Sequence, residues 1–351
     1  MKNINVGLIG FGLSGQVFHA PIIDCIEGYS LKKIYTKNEK NIKIAKEKYS
    51  AEVCSNVDDI LNGDEIDLVV VATPNESHYE YAKRALLKGK HVVVEKPFTV
   101  TTKQAEDLIK ISREQSKVLS VYQNRRYDSD FKTVKKVIES GVLGKIVEFE
   151  AHFDRFRNFP KNYWREENIP GSGILYDLGS HLVDQALYLF GTPNKFFADV
   201  RKQRSFAKAD DNFEIILFYD NLKVTLKASM LVKEPLPKYI VTGENGNFVK
   251  YGMDVQEEHL RRGLTPNTYS PWGKEPETTN GILNTNLNGI DIRTTIQSEC
   301  GDYREYYREL YSAIVEGKRV PVTAEEARNT IYILESASQV KCDIIQFIPY
   351  N

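Results

Sequence analysis

The residues best placed for chemistry are an adjacent carboxylate and amine, Glu95 and Lys96, followed by Pro97. They end the run His91-Val-Val-Val-Glu95, whose β-branched residues suit a strand buried on both faces. In open α/β sheets ligands gather beyond the carboxyl ends of the strands, so a charged pair there stands at the rim of a crevice. Taken alone, the pair is better explained as a solvated strand cap, and its neighbours decide the matter. A second constellation is Asp177, His181 and Asp184 within Ile174–Phe190. Their spacing puts all three along one stripe of an otherwise apolar helix. Polar groups on a buried stripe are costly unless paired or used, and histidine titrates near neutrality.

The third is Gly10-Phe11-Gly12-Leu13-Ser14-Gly15, set between an apolar strand, Ile4–Ile9, and a helical pattern through Val17, Phe18 and Ile22. This is the dinucleotide fingerprint in the context it needs: Gly10 makes the tight turn, Gly12 admits a pyrophosphate, Gly15 brings helix close to strand. The anion then rests on the helix N-terminal N–H groups. Where an NAD-preferring domain carries an acid, the second strand (Leu31–Tyr35) instead ends in Thr36 and Lys37, which suit a 2′-phosphate. NADP is therefore the expected cofactor, with NAD as the alternative. Thr73, Pro74 and Asn75 fix a loop at the same sheet edge, with Asn75 able to cap the next helix and His78 in its first turn facing that edge. Glu95, Lys96 and Asn124 complete the expected cofactor-binding set.

The elements that position these groups alternate strand and helix over about the first 120 residues, which calls for a parallel doubly wound sheet. Ile66–Ala72, His91–Glu95 and Val118–Gln123 supply further strands, and Thr101 or Thr102 caps the helix before the last of these. From Ile146 the grammar becomes antiparallel, with strands over 196–204, 212–219, 222–231 and 238–242. The fold class is thus α/β: an N-terminal Rossmann sheet over 1–122, then an α+β domain over 123–351 with a large, mostly antiparallel open sheet. The stretch 252–300, rich in Asn, Thr, Gly and Pro, reads as an irregular surface excursion suited to an interface or a lid. Helices are expected over 303–316 and, capped by Thr323, over 324–343, the last able to return to the first domain.

A chain of 351 residues, 41% hydrophobic and 27% charged, is long enough for about two globular domains. A formal net charge of −1, with basic and acidic residues well mixed, gives no footprint for nucleic acid or an anionic membrane. Cys25, Cys54, Cys300 and Cys342 form no C-x-x-C pair, which fits free thiols in a reducing compartment and argues against a structural zinc site; no metal is expected. No stretch reads as a signal peptide or a bilayer span, so a cytoplasmic protein is expected.

Gly10-x-Gly12-x-x-Gly15, Ala72-Thr-Pro-Asn-x-x-His78, Glu95-Lys96-Pro97 and Gly171-x-Gly173-x-x-x-Asp177-x-x-x-His181 together resemble the Gfo/Idh/MocA family of NAD(P)-dependent oxidoreductases along essentially the whole chain. The strings Phe18-His19-Ala20-Pro21, Gln123–Phe131, His152–Arg157 and Lys250-Tyr-Gly252 are similar to its branch containing NADP-dependent scyllo-inositol 2-dehydrogenase. The resemblance implies that Lys96 bonds the reacting oxygen and the cofactor ribose, Asp177 positions substrate and His181 exchanges the proton. Ser172 stands where much of the family has a third glycine. It also implies a homodimer or homotetramer formed through the open sheet face. Oxidation of a secondary alcohol needs a hydride acceptor, a base and a cation near the developing alkoxide, and these groups supply them. Asp184 would orient the His181 ring, and Asn124, Asp154, Arg157, Trp164 and Tyr176 would read a cyclic polyol or sugar. The alternatives are reduction of another carbonyl or double bond, as in biliverdin reductase or dihydrodiol dehydrogenase relatives, and a non-catalytic nucleotide-binding regulator of the same family.

Overall fold

The computed structural model describes residues 2–161, 163–340 and 342–350. The chain forms two compact units: residues 1–124, 256–272 and 302–328 make the first, and 125–255, 273–301 and 329–351 the second.

Six parallel strands organise the first unit: β1 (Ile4–Ile9), β2 (Tyr29–Tyr35), β3 (Glu52–Cys54), β4 (Leu68–Val71), β5 (His91–Glu95) and β6 (Leu119–Tyr122), in the order β3-β2-β1-β4-β5-β6. Every residue of β4 is buried, as are Val92–Glu95 of β5, because helices cover both faces of the sheet. The strand order reverses between β1 and β4, so the crevice beyond their carboxyl ends is the place where an α/β sheet of this order takes its ligand. The helix Thr102–Glu114 opens with a full capping box, Thr101 accepting from Gln104 N and the Gln104 side chain reaching back. Two short elements, β3 and the helix Asp58–Leu61, carry too few residues to leave a periodic signal. Late segments complete this unit. The helix Arg304–Glu316 buries Tyr306 and Tyr307, and the Tyr306 hydroxyl donates to Ser120 Oγ at 2.8 Å, which in turn donates to the Val322 carbonyl at 2.8 Å.

The second unit carries nine strands: β7 (Ile146–His152), β8 (Lys195–Arg201), β9 (Asn212–Phe218), β10 (Lys223–Ser229), β11 (Tyr239–Gly243), β12 (Gly246–Lys250), β13 (Gly281–Leu287), β14 (Ile290–Ile296) and β15 (Asp343–Gln346). Their order is β14-β13-β12-β11-β7-β10-β9-β8-β15, antiparallel throughout except for the β7/β10 pair. The fold class read from the sequence is thus the one observed.

Two expectations are corrected. The stretch 252–300 is not irregular throughout: it holds the helix Gln256–Arg261 and the β13–β14 hairpin. Asn288 and Gly289, at φ 52° and 84°, make the two-residue turn, and their Asn-Gly pair is the hairpin signal that the surrounding Asn and Thr residues obscured. The last helix ends at Gln339 rather than running to Asp343, because Ile344 and Ile345 leave it to pair with Phe197 and Phe196 on β8.

The helix Ser129–Glu139 is held in the second unit by buried ion pairs. Lys238 Nζ lies 2.5 Å from Asp130 Oδ2, Ser129 N donates to Asp254 Oδ2 at 2.8 Å, and Ser129 Oγ donates to Glu275 Oε1 at 2.5 Å, the other oxygen of that carboxylate lying 2.6 Å from Lys250 Nζ. Burial, with Asp254 and Asp130 nearby, pushes the Asp128 carboxyl up, against the pull of Arg125 and Lys238. Each of the four cysteines is free. Among the described residues, no helix is long and apolar enough to cross a membrane, and no group of three or more His, Cys, Asp or Glu could hold a metal ion.

Candidate active site

In the first unit the three fingerprint glycines answer different demands. A Cβ on Gly10, whose φ is 99°, would sit 2.4 Å from the Ala72 carbonyl oxygen, and one on Gly15 would sit 2.5 Å from that of Gly10. Those two glycines are required by the protein's own packing. A Cβ on Gly12 would meet nothing within 4 Å, so the loop borders open space where a pyrophosphate can approach the backbone. The Phe11 side chain is core, edge-on to Tyr49 at 6.0 Å, while Leu13 is exposed and Ser14 half-buried. Gly10 N donates to the Tyr35 carbonyl at 3.0 Å, tying the glycine turn to the end of β2. Just beyond, Thr36 is buried and Lys37 is exposed, and Asn38 caps the following helix by accepting from Asn41 N.

The loop after β4 is braced from within. The Ser77 hydroxyl donates to Thr73 Oγ1 at 2.8 Å, and Asn75 starts a 3₁₀ turn that precedes the helix His78–Leu87. His78, placed at the sheet edge by the sequence, is fully buried: its ring nitrogens lie 2.8 Å from the carbonyls of Pro97 and Thr73, so it clamps the loop after β4 to the loop after β5. Burial holds its pKa below the ordinary range, although both carbonyls pull the other way.

Lys96 is half-buried, with a cis bond to Pro97. Glu95 beside it is buried, and both of its oxygens are engaged: Oε2 accepts from Lys96 N at 2.9 Å, and Oε1 lies 3.0 Å from His19 Nε2. On the far side of the ring, His19 Nδ1 lies 2.6 Å from the Tyr307 hydroxyl. A carboxylate only accepts, so Nε2 carries a proton toward Glu95. Burial alone would push Glu95 up, but the hydrogen bond and charge of His19, with Lys96, hold it below the usual carboxylate range. His19 lies in the π-helical turn Gly15–His19 directly after the glycine loop. One buried chain of contacts therefore joins the helix start after the glycine turn to the strand end bearing Lys96. Asn124, also buried, opens the 3₁₀ turn that follows β6.

In the second unit Asp177 lies in a π-helical turn, Leu175–Gly179, that runs into the helix Ser180–Phe190 bearing His181 and Asp184. Such turns cluster at functional sites because they re-aim one side chain against its neighbours. Gly173, at φ 81°, leaves room for Asp210, since a Cβ there would sit 1.9 Å from Asp210 Oδ1. The Asp210 carboxylate accepts from Leu175 N at 2.7 Å, and burial pushes its pKa up to about 6. Asp177 Oδ1 accepts from Arg165 Nη1 at 2.7 Å. His181 stacks on Phe153 with centroids 6.2 Å apart. Asp184, expected to steady the His181 ring, receives Arg126 through Nε at 2.8 Å and Nη2 at 2.7 Å, a two-point clamp fixing the middle of the helix.

Of the residues expected to read substrate, Asp154 is bonded to His152 Nδ1 at 3.0 Å and Ser229 N at 2.9 Å. Arg157 donates to Glu166 Oε1 at 2.8 Å, and Trp164 lies under the Arg165 guanidinium, 5.2 Å from it. Tyr176 is buried, with Glu335 and Ser338 among its electrostatic neighbours, and burial raises its hydroxyl pKa. Sequence reasoning passed over Arg165, Arg126, Asp210, His19 and Tyr307. His19 and Tyr307 are 288 positions apart, and no local pattern links them.

The model of the oxidoreductase family's NAD-binding Rossmann fold (GFO_IDH_MocA) matches residues 4–123, and that of the family's C-terminal alpha/beta domain (GFO_IDH_MocA_C) matches 135–340. The chain belongs to the Gfo/Idh/MocA oxidoreductase family. As a member of that family it is an NAD(P)-binding oxidoreductase. It is 41% identical over 340 residues to the scyllo-inositol 2-dehydrogenase (NADP(+)) IolW of Bacillus subtilis, covering 97% of this chain and 94% of that one. Among solved structures, the oxidoreductase yvaA of Bacillus subtilis matches with a TM-score of 0.93 at 39% identity over 99% of both chains. An oxidoreductase of Bacteroides fragilis matches with a TM-score of 0.89 at 41% identity, covering 98% of this chain and 100% of the other.

Proposed function

We propose that this family member is an NADP-dependent dehydrogenase that interconverts a secondary alcohol and its ketone on a cyclic polyol or sugar of the scyllo-inositol kind. The observation that carries the reading is Lys96 itself: an amine at the carboxyl end of β5, on a backbone fixed by Glu95, in the sheet that carries the glycine turn. The name and length of match of the Bacillus subtilis relative support the polyol and NADP assignments. When bound, the nicotinamide supplies the hydride acceptor or donor.

The chain's own residues do the rest. Gly10, Gly12 and Gly15, with Leu13 and Ser14, shape the phosphate site, and Thr36 and Lys37 meet the 2′-phosphate. Lys96 donates a hydrogen bond to the substrate oxygen and stabilises negative charge as it develops there. His181 takes the hydroxyl proton in oxidation and returns it in reduction, a role its residue type suits near neutral pH. Asp177 orients the ring of the substrate. Glu95 is a positioning residue for Lys96, through the His19 and Tyr307 contacts.

The test is an absorbance screen at about 340 nm for reduced nicotinamide, with inositols, inososes and aldoses against both cofactors. Turnover of a polyol with NADP is expected. Lys96→Ala should lose at least about a thousandfold in kcat/KM while still binding NADPH, in line with removal of a key electrostatic group. Wild-type rates in that variant would refute the assignment, and binding of NADPH without turnover across the panel would favour a regulatory protein.

A further inference from the structure

The two outermost strands of the second sheet, β15 and β14, are guarded very differently. A strand with nothing beyond it offers main-chain N–H and C=O groups to any other strand, so folded proteins blunt such edges with shortness, proline, a bulge or charged side chains. β15 has only four residues and ends three positions before Pro349. β14 runs for seven residues with no proline and no break in its register against β13, and five of the seven are exposed. Its only charges are one of each sign, Asp291 and Arg293.

The Asn288-Gly289 turn fixes which groups of β14 are open. In a two-residue hairpin the flanking pair, here Leu287 and Ile290, is hydrogen-bonded both ways, so Ile290, Ile292, Thr294 and Ile296 turn N–H and C=O toward β13. Asp291, Arg293 and Thr295 turn theirs outward. The side chains of those three share one face, and the three isoleucines lie on the other. Asp291 is steadied from β13, its Oδ1 accepting from Asn286 Nδ2 at 2.8 Å. Arg293 is exposed, and among the described residues no hydrogen bond or ion pair holds its side chain.

These two charges select a partner. For a copy of β14 laid antiparallel along the edge, the alternation of open groups requires a residue at the two-fold axis. An axis at Asp291 or at Arg293 sets like charges opposite each other, which is destabilising, and one at Thr294 leaves both charges unanswered. An axis at Ile292 sets Asp291 of each chain opposite Arg293 of the other. It also matches the open groups, since Asp291 and Arg293 then exchange both main-chain hydrogen bonds across the edge. On the opposite face Ile292 meets its own copy, with Ile290 of each chain diagonal to Ile292 and Ile296 of the other. We propose that β14 is a docking edge for a second copy of this chain, paired antiparallel about Ile292 so that the two nine-stranded sheets join into one. This edge is a different surface from the open sheet face on which the family resemblance places assembly.

The experiment is sedimentation velocity over a dilution series on the full chain as wild type, Asp291→Arg, Arg293→Asp and the double exchange Asp291→Arg/Arg293→Asp. Wild type should associate. Either single exchange sets like charges opposite each other twice and should raise the dissociation constant about tenfold or more, whereas the double exchange restores two attractive pairs and should return it to within about threefold of wild type. Both side chains are exposed, so every variant should keep the wild-type urea unfolding curve. A second measurement marks the axis. In a Cys300→Ser/Cys342→Ser background, oxidised glutathione should link Ile292→Cys chains into a dimer, because residues facing each other in such a pair have Cα atoms about 4.5 Å apart, within disulfide reach. Ile290→Cys, displaced from the axis, should not link. A monomeric wild type, association indifferent to the single exchanges, or a double exchange no tighter than the singles overturns the inference, and in the second case assembly belongs to another surface.

Discussion

Lys37 stands exposed where β2 ends, one residue past buried Thr36 and next to the glycine turn to which Tyr35 is bonded. An exposed pair between an amine and a phosphate is worth about 1 kcal/mol. Lys37→Ala should therefore raise the KM for NADP roughly fivefold and leave that for NAD unchanged. An unaltered NADP/NAD ratio in initial-rate measurements would reduce Lys37 to part of a solvated helix start. At this scale position was legible where a residue type recurs at a fixed local spacing, as at the glycines after β1 and at Lys96 after β5, but not at Asp177, which lies in a π-helical turn rather than on one α-helical stripe with His181. The sequence was silent where one side chain's role depends on a partner distant in the chain. His19 is unremarkable until the Tyr307 hydroxyl is placed at one of its ring nitrogens and Glu95 at the other. Arg165 looks like any loop arginine until its pairing with Asp177 is seen.

Strands and helices with strong patterns were readable to within a few residues, because burial on one or both faces writes itself into the sequence at a period of 2 or 3.6. The π-helical turns Gly15–His19 and Leu175–Gly179 were not, since inserting one residue into a turn leaves the apolar pattern nearly intact. The second of them depends on Asp210, whose carboxylate receives the Leu175 N–H in a buried position. With its pKa raised from 3.8 to about 6, Asp210 binds its proton more tightly folded than unfolded. Its contribution to stability is therefore fully present below about pH 4 and falls by ~3 kcal/mol as pH rises through 6. Relative to Asp210→Asn, which has no proton to lose, the wild-type protein should lose stability over that window. Urea unfolding at half-unit steps from pH 4 to 7 measures the difference, and parallel curves for the two proteins would contradict it.

Across the whole molecule, the chain passes five times between the two units before it ends. The Rossmann sheet is consequently not a product of its own first 124 residues: Tyr306, Tyr307 and Val322 supply its contacts to Ser120, His19 and Tyr122. A fragment ending at Asn124 removes those aromatic neighbours and leaves His19 facing water instead of Tyr307. It should unfold without a cooperative urea transition, whereas a two-state transition with a normal m-value would show that the late segments are dispensable. Which distant segments complete which sheet depends on long-range packing that local periodicity does not encode.

That interleaving also sets a timetable. A ribosome adding about 5–20 residues each second delivers Tyr306 and Val322 some 10–40 s after β6. Through that interval the surface around Ser120 and Tyr122, apolar and later covered by Tyr306 at a ring distance of 4.8 Å, has nothing of its own chain to lie against. The period of greatest risk for this protein is thus its own synthesis, when a nascent chain with a finished strand order still lacks the last piece of its first core.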